Sequence, residues 1–263
     1  LFPSISLNLT LPTPFFSFLS PLPAPFTFFA SPAPHGDDTP TCGSWATPCA
    51  TPAAALAAAA AAAPAGPAAV WLAPGVYSIS TPLSFGGRPH ALASLAGGAV
   101  TVLDGGPTPV GRLLEFRGGE TPATVVAGLT LARGFSGLDS ADPGGGCVLI
   151  DSASPTLADL ALIGCSTCAP DFSTCNGDGG GIAVRNSANL MAGAVPLVVP
   201  RLLGVSISQS LALSGGGLHV FAAGLAFSGL SISDCAAILP GVGMGGGLAA
   251  FFAILLGGGL SIS

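Results

Sequence analysis

The chain contains no lysine, six arginines, three histidines and twelve acidic residues, for a formal net charge of −6. Charged residues make up 7% of its 263 positions, against about 25% in an ordinary soluble domain. Each shortage excludes something. Without charges to flank a heptad seam there is no coiled coil. Six scattered arginines form no basic patch, so nucleic acid is excluded as a partner. So little charge beside 50% hydrophobic residues argues against charge-driven disorder. Long apolar runs are also scarce. The 39 glycines and 25 prolines interrupt them, which leaves no room for a long-helix enzyme.

What remains is cysteine, glycine and repetition. Cysteines stand at 42, 49, 147, 165, 168, 175 and 235. That density in a chain so poor in charge favours an oxidising compartment, extracellular or cell-surface. The sequon Asn8-Leu9-Thr10 agrees with secretion. Residues 1–41 read as a Pro-rich leader or linker that does not pack with the rest, because its dense prolines forbid a continuous helix. The uncharged stretch 236–263 carries the apolar segment Leu248–Leu256 between glycine triplets. It is too short for a span of about 20 residues. Its main reading is two more buried strands, and its alternative is membrane association.

Two alignments organise residues 42–263 into one domain. Glycine triplets stand at 144–146, 179–181, 215–217, 245–247 and 257–259, and the first four precede short apolar runs. A second motif recurs as Gly128–Leu131, Asp159–Leu162, Gly204–Ile207, Gly229–Ile232 and Gly259–Ile262. Alternation with period two makes each a strand with one buried face. Leu129, Leu160, Val205, Leu230 and Leu260 then stack in one inward line. Leu131, Leu162, Ile207, Ile232 and Ile262 stack in the next. Strands this short cannot stand alone, so each repeat pairs in parallel with its neighbours. At the front, Thr51 serves as N-cap and Pro52 as the first residue of an alanine-rich helix ending before Pro64. That helix covers one end of the stack. Cys42 and Cys49 flank its start and form a small disulfide loop.

The order of these segments (TCGSWATPCATPAAALAAA, VWLAPGVYS, AVTVLDGG, then the glycine-led series) resembles the right-handed parallel β-helix superfamily with a pectin-lyase-like fold. The glycine triplets resemble polymorphic outer-membrane-protein repeats. The resemblance implies an all-β solenoid with an N-terminal alanine-rich capping helix. One departure stands out: where the family carries an asparagine ladder, this chain has Gly134, Cys165, Ser210 and Cys235. With the last motif beginning at Gly259, the chain reads as a fragment of a longer protein.

A polysaccharide lyase or hydrolase on such a scaffold needs carboxylates clustered on one strand face, usually with a basic residue. Counted from the last glycine of each triplet, Cys147, Ile182, Leu218 and Leu248 point inward, as do Leu149, Val184, Val220 and Ala250. Val148, Ala183, His219 and Ala249 point outward, followed by Ile150, Arg185, Phe221 and Phe251. Asp151 and Asn186 fall at the turn and read as turn caps. Asp151, Arg185 and His219 are the catalytic candidates. His219 reads as a surface residue, since no acid sits at its matching offset. Phe221 and Phe251 are candidates for stacking on sugar rings, with burial under a loop as the alternative. The excursion 165–178 offers Asp171, Asn176 and Asp178 as oxygen ligands for calcium, but three thiols without a histidine do not make a zinc site. Its main reading is a loop pinned by Cys168–Cys175. Arg88, His90, Asp104, Arg112, Glu115 and Arg117 are assigned to solvated edges and turns. The function expected is a structural or binding module, with polysaccharide or cell-wall glycan as partner and no cofactor implied. A carbohydrate-active enzyme and a membrane-associated surface protein are the alternatives.

Overall fold

A computed structural model describes residues 26–107, 111–136, 144–169, 174–187, 198–238, 246–251 and 253–263. Among them are one helix and strands that pair in parallel throughout. Apart from a short separate pair, Leu211–Ala212 with Ala236–Ala237, the strands fall into three columns. The first column runs through Phe26–Ala30, Ala68–Leu72, His90–Ser94, Val125–Ala127, Thr156–Ala158 and Arg201–Leu203. The second runs through Gly75–Ser78, Thr101–Asp104, Thr130–Ala132, Ala161–Ile163 and Ser206–Ser208. Both end on Gly224–Ser233 and then Ile254–Ile262, which join the two columns into a 13-stranded sheet. The third column is a separate six-stranded sheet, from Leu83–Ser84 through Leu114–Phe116, Val148–Asp151, Ile182–Arg185 and Leu218–Phe221 to Leu248–Phe251.

Sequence alternation gives two strands per repeat; the structure has three. The extra one, such as Val125–Ala127, directly precedes the recurring motif, two residues before the strand Thr130–Ala132. The motif's leading residue makes the corner between them: Gly128, Gly204, Gly229 and Gly259 lie in the left-handed region, and so does Asp159 at φ 49°. Only glycine visits that region without steric cost. A seven-residue apolar stretch such as VVAGLTL therefore folds as two strands at an angle. The expected inward lines form. Leu131, Leu162, Ile207, Ile232 and Ile262 are partners at one register, and Leu129, Leu160, Val205 and Leu230 are buried. Side chains from all three columns share one core, including Leu92, Val126, Leu157 and Leu202 of the first. Each such leucine removed from water contributes about 2 kcal/mol.

The helix, α1 (Pro52–Ala62), starts as the sequence indicates. Thr51 Oγ1 accepts the Ala54 N–H at 3.1 Å. Asp38 completes the cap, accepting from the Ala50 and Thr51 amides at 2.7 and 2.9 Å and from the Thr51 hydroxyl at 2.8 Å. The leader of residues 1–41 does not stay apart over its described portion. Phe26–Ala30 pairs residue for residue with Ala68–Leu72. Phe29 donates to Gly43 and accepts from Cys49. The reason is local: a proline-free run of alternating aromatics lies between Pro25 and Pro32 and can extend the sheet edge. Residues 1–25 lie outside the described residues.

The apolar stretch near the end forms strands Leu248–Phe251 and Ile254–Ile262. The second is exposed along its length and not buried as expected, because among the described residues it pairs on one edge only. No helix in the described residues is long and apolar enough to cross a membrane. Three disulfides are present: Cys42–Cys49, Cys147–Cys165 and Cys168–Cys175. They agree with an oxidising compartment. The first and third are the pairs their spacing suggests. Cys147–Cys165 has no sequence cue and joins two fully buried residues inside the core.

Candidate functional site

The third column carries the chemistry, and its register differs from the count of glycines. Val148, not Cys147, pairs with Ile182, and Asp151 pairs with Arg185. Cys147 occupies the place of a third glycine, with its own N–H and that of Val148 both directed at Gly181 O. Its bond to Cys165 holds it there. The inward line is therefore Val148, Ile182, Leu218, Leu248, and the next is Ile150, Val184, Val220, Ala250. On the opposite face one line is Glu115, Leu149, Ala183, His219, Ala249. The other is Asp151, Arg185, Phe221, Phe251. The three later repeats follow the sequence count; only the Cys147 repeat is displaced by one residue.

This shift turns Asp151 from a turn residue into a strand residue beside Arg185. Arg185 Nε lies 3.2 Å from Asp151 Oδ2. The same carboxylate accepts from Ser187 N at 3.0 Å, Ser187 Oγ at 2.9 Å and Ser152 Oγ at 3.0 Å. It thus does two jobs: ion partner to Arg185 and cap of the turn that follows Arg185. Asn186, the second expected turn cap, is fully buried and accepts from Ser152 Oγ at 3.3 Å.

His219 is not a surface residue. It is 7% exposed, stacked 6.4 Å from the Phe221 ring at 8° and 5.7 Å from that of Phe251. An acid does reach it: Asp178 Oδ2 is 3.8 Å from His219 Nε2. Counting along strands could not find Asp178, because it sits on the glycine loop that precedes the neighbouring strand. Burial pulls the His219 imidazole below its usual range, and the Asp178 charge opposes that shift. Phe221 and Phe251 are half-buried, side by side at one register. Their exposed portions, with Arg185 beside them, form a short aromatic and basic strip.

Of the calcium candidates, Asp178 faces His219, Asn176 is exposed, and Asp171 lies outside the described residues. Asp38, Cys42 and Cys49 approach one another closely enough for a metal. Their chemistry does not fit one, since both thiols are in a disulfide and Asp38 is occupied by the helix cap.

The charges assigned to solvated edges are largely buried. Asp104, Arg112 and His90 are all under a tenth exposed. Asp104 accepts Arg133 Nε at 2.8 Å and a second bond from Nη2, and this pairing holds its carboxyl below the usual range. Glu115 is shared by Arg112, at 3.4 Å, and Arg117. In a sheet stack, a side chain at a turn lies against the turns above and below, so a corner in sequence is often an interior position. The chain matches no protein-family model, no curated protein and no solved structure.

Proposed function

We propose that this chain is a right-handed parallel β-helix of the pectin-lyase-like type, capped at its front by α1, and that it works as an extracellular or cell-surface binding module for polysaccharide. The parallel three-column pairing and the end position of α1 against the first strands support the fold reading. Three disulfides support the compartment. The observation that carries the binding reading is the line Arg185–Phe221–Phe251, with His219 stacked on Phe221 and tilted against Phe251. Aromatic faces at one strand spacing, with a guanidinium alongside, suit sugar rings: apolar C–H faces meet the aromatics and hydroxyls or carboxylates meet the cation. Titrating the purified chain with neutral and uronic oligosaccharides tests it. Phe221→Ala and Phe251→Ala are each expected to weaken binding by about tenfold, or ~1.4 kcal/mol. Unchanged affinity in both would remove the reading.

A catalytic reading draws on one observation, that Asp151, Arg185 and His219 fall on neighbouring strands of one face. Against it, both Asp151 oxygens are already engaged by Arg185, Ser152 and Ser187. A general base needs a free lone pair aimed at substrate. The expected result is no turnover of pectin-like polymers, with or without calcium. Turnover abolished by Asp151→Asn would reverse the order of the two readings.

A further inference from the structure

The front of the molecule holds a second group of aromatics. Trp45 is 72% exposed, more than any other large apolar side chain among the described residues. Its loop is nevertheless tightly built. The Cys42–Cys49 disulfide closes it. Across the tip the Gly43 N–H donates to the Thr47 carbonyl at 2.8 Å, the Thr47 N–H donates to Ser44 Oγ at 3.0 Å, and the two hydroxyls bond at 2.8 Å. At the base, Phe29 donates to the Gly43 carbonyl at 2.8 Å and accepts from the Cys49 N–H at 3.0 Å, which ties the loop to the first strand.

A single exposed tryptophan is ordinary; this one borders a cleft of about 290 Å³. Phe29 and Leu95 line the cleft with it, and Ser31 and His35 add polar groups. The Phe29 and Trp45 rings meet edge to face, with centroids 5.0 Å apart at 85°. Phe29 therefore covers at most one face of the indole, and the other is open. The indole N–H has no hydrogen-bond partner among the described residues. Held this firmly, the ring loses little further freedom when a ligand settles on it.

We propose that this cleft binds one pyranose residue of a neutral sugar. The C–H face of the sugar lies on the indole, and one of its hydroxyl oxygens accepts the indole N–H. Size, charge and shape lead to that class. At the ~30 Å³ that a water occupies in the liquid, the cleft holds about ten non-hydrogen atoms, close to a single hexose. No arginine lines it, and the charged residues just before the loop, Asp37 and Asp38, are acidic. A uronate or phosphate would meet repulsion there and no cation. An apolar ligand would gain little from a wall so open to water, whereas a sugar buries one face and keeps a wet rim. Five pairings of the first column separate Phe26–Ala30 from Arg201–Leu203, about 24 Å at ~4.8 Å each, and Phe221 and Phe251 come later still. The two sites share no residue, so this proposal does not rest on the aromatic strip.

The test begins with fluorescence, since the chain has two tryptophans and Trp71→Phe leaves Trp45 as sole reporter. That oxidised variant is titrated with the methyl glycosides of glucose, galactose and mannose, with glucuronate, and with a proline-rich decapeptide. Expected are a saturable change with at least one neutral glycoside and binding of glucuronate weaker by about tenfold or more. Calorimetry follows in a chain carrying Phe221→Ala and Phe251→Ala, where the strip contributes nothing. There Trp45→Ala is expected to weaken the glycoside by about tenfold or more with an unchanged urea midpoint, and Trp45→Phe to retain part of the affinity. No saturation with any of the three glycosides would overturn the proposal. So would glucuronate bound equally well, the decapeptide bound more tightly, or full affinity in Trp45→Ala.

Discussion

The early and late repeats solve one packing problem in opposite ways. The residue just before each third-column strand faces the second inward residue of its own repeat. In the later repeats that residue is glycine, at 181, 217 and 247, and its opposite is isoleucine, at 207, 232 and 262. A Cβ on these glycines would stand 2.5, 2.5 and 2.6 Å from the Cγ2 of that isoleucine, closer than atoms can approach. In the earlier repeats the residue is Leu113 or Cys147, and its opposite is Leu131 or Leu162. Leucine branches one carbon further out and has no Cγ2, so a side chain fits where the isoleucine methyl would stand. Leucine and isoleucine have equal volume, so what decides the fit is where the inward residue branches and not how much space it fills. The glycine triplets are thus one half of a two-residue fit, and the β-branched column is the other.

The largest expected effect comes from the covalent form of the early solution. Cys147–Cys165 closes a loop with a sequence separation of 18, and removing such a bond costs about 3 kcal/mol. Cys147→Ser with Cys165→Ser is expected to lower the unfolding free energy, measured by urea titration, by that amount, and opening Cys168–Cys175, with a separation of 7, by less. Equal losses from the two would mean that the core bond has no special place in the early repeats.

Next in size is a direct break of the comparison. Gly181→Ala forces a methyl against Ile207 and the Gly217 carbonyl, 2.6 Å away, and overpacking of this kind costs about 2 kcal/mol. Adding Ile207→Leu is expected to return part of the loss, giving a coupling of about 1 kcal/mol in a double-mutant cycle. Additive losses would sink the paired-fit account. The reverse change is smaller: Leu162→Ile opposite Cys147 is expected to destabilise by about 1 kcal/mol, while Ile232→Leu opposite Gly217 leaves a gap and no clash. Both are read from denaturant midpoints.

The same comparison explains how much the sequence disclosed. The leucine and isoleucine columns were legible because their motif keeps one length and one alternation through every repeat. So were the Thr51 cap and the two short disulfide loops, where the informative residues are near neighbours. The first strand column was hidden because the only sign separating it from the second is a single left-handed residue, and Asp159 in place of glycine blurs even that. Cys147 hid the register: a side chain stands where other repeats have their last glycine, so counting from the triplet slid Asp151 off the strand. Asp178 and Asp38 were out of reach, since each acts on residues brought near by stacking or by a loop of about a dozen residues, and period-two reasoning says nothing about either.

The smallest effects lie at the corner after the second column, where Arg133, Gly164, Gln209 and Asp234 all adopt positive φ. Glycine at 164 is the relaxed choice, and a side chain in that conformation costs about 1 kcal/mol. Gln209→Gly is therefore expected to stabilise by somewhat less than that, once the added freedom of the unfolded chain is subtracted. Arg133→Gly relieves the same strain but takes the guanidinium from Asp104, which is 8% exposed. The pairing lowers the folded-state pKa of Asp104, so its contribution is present above the unfolded value of about 3.9 and is lost as pH falls through the lower folded value. At neutral pH Arg133→Gly should accordingly be the less stable of the two variants. As pH drops below about 4 the gap should close, leaving both with the backbone relief alone. Midpoints for the two variants that stay parallel through that range would mean that Arg133 holds its strained conformation for a reason other than Asp104.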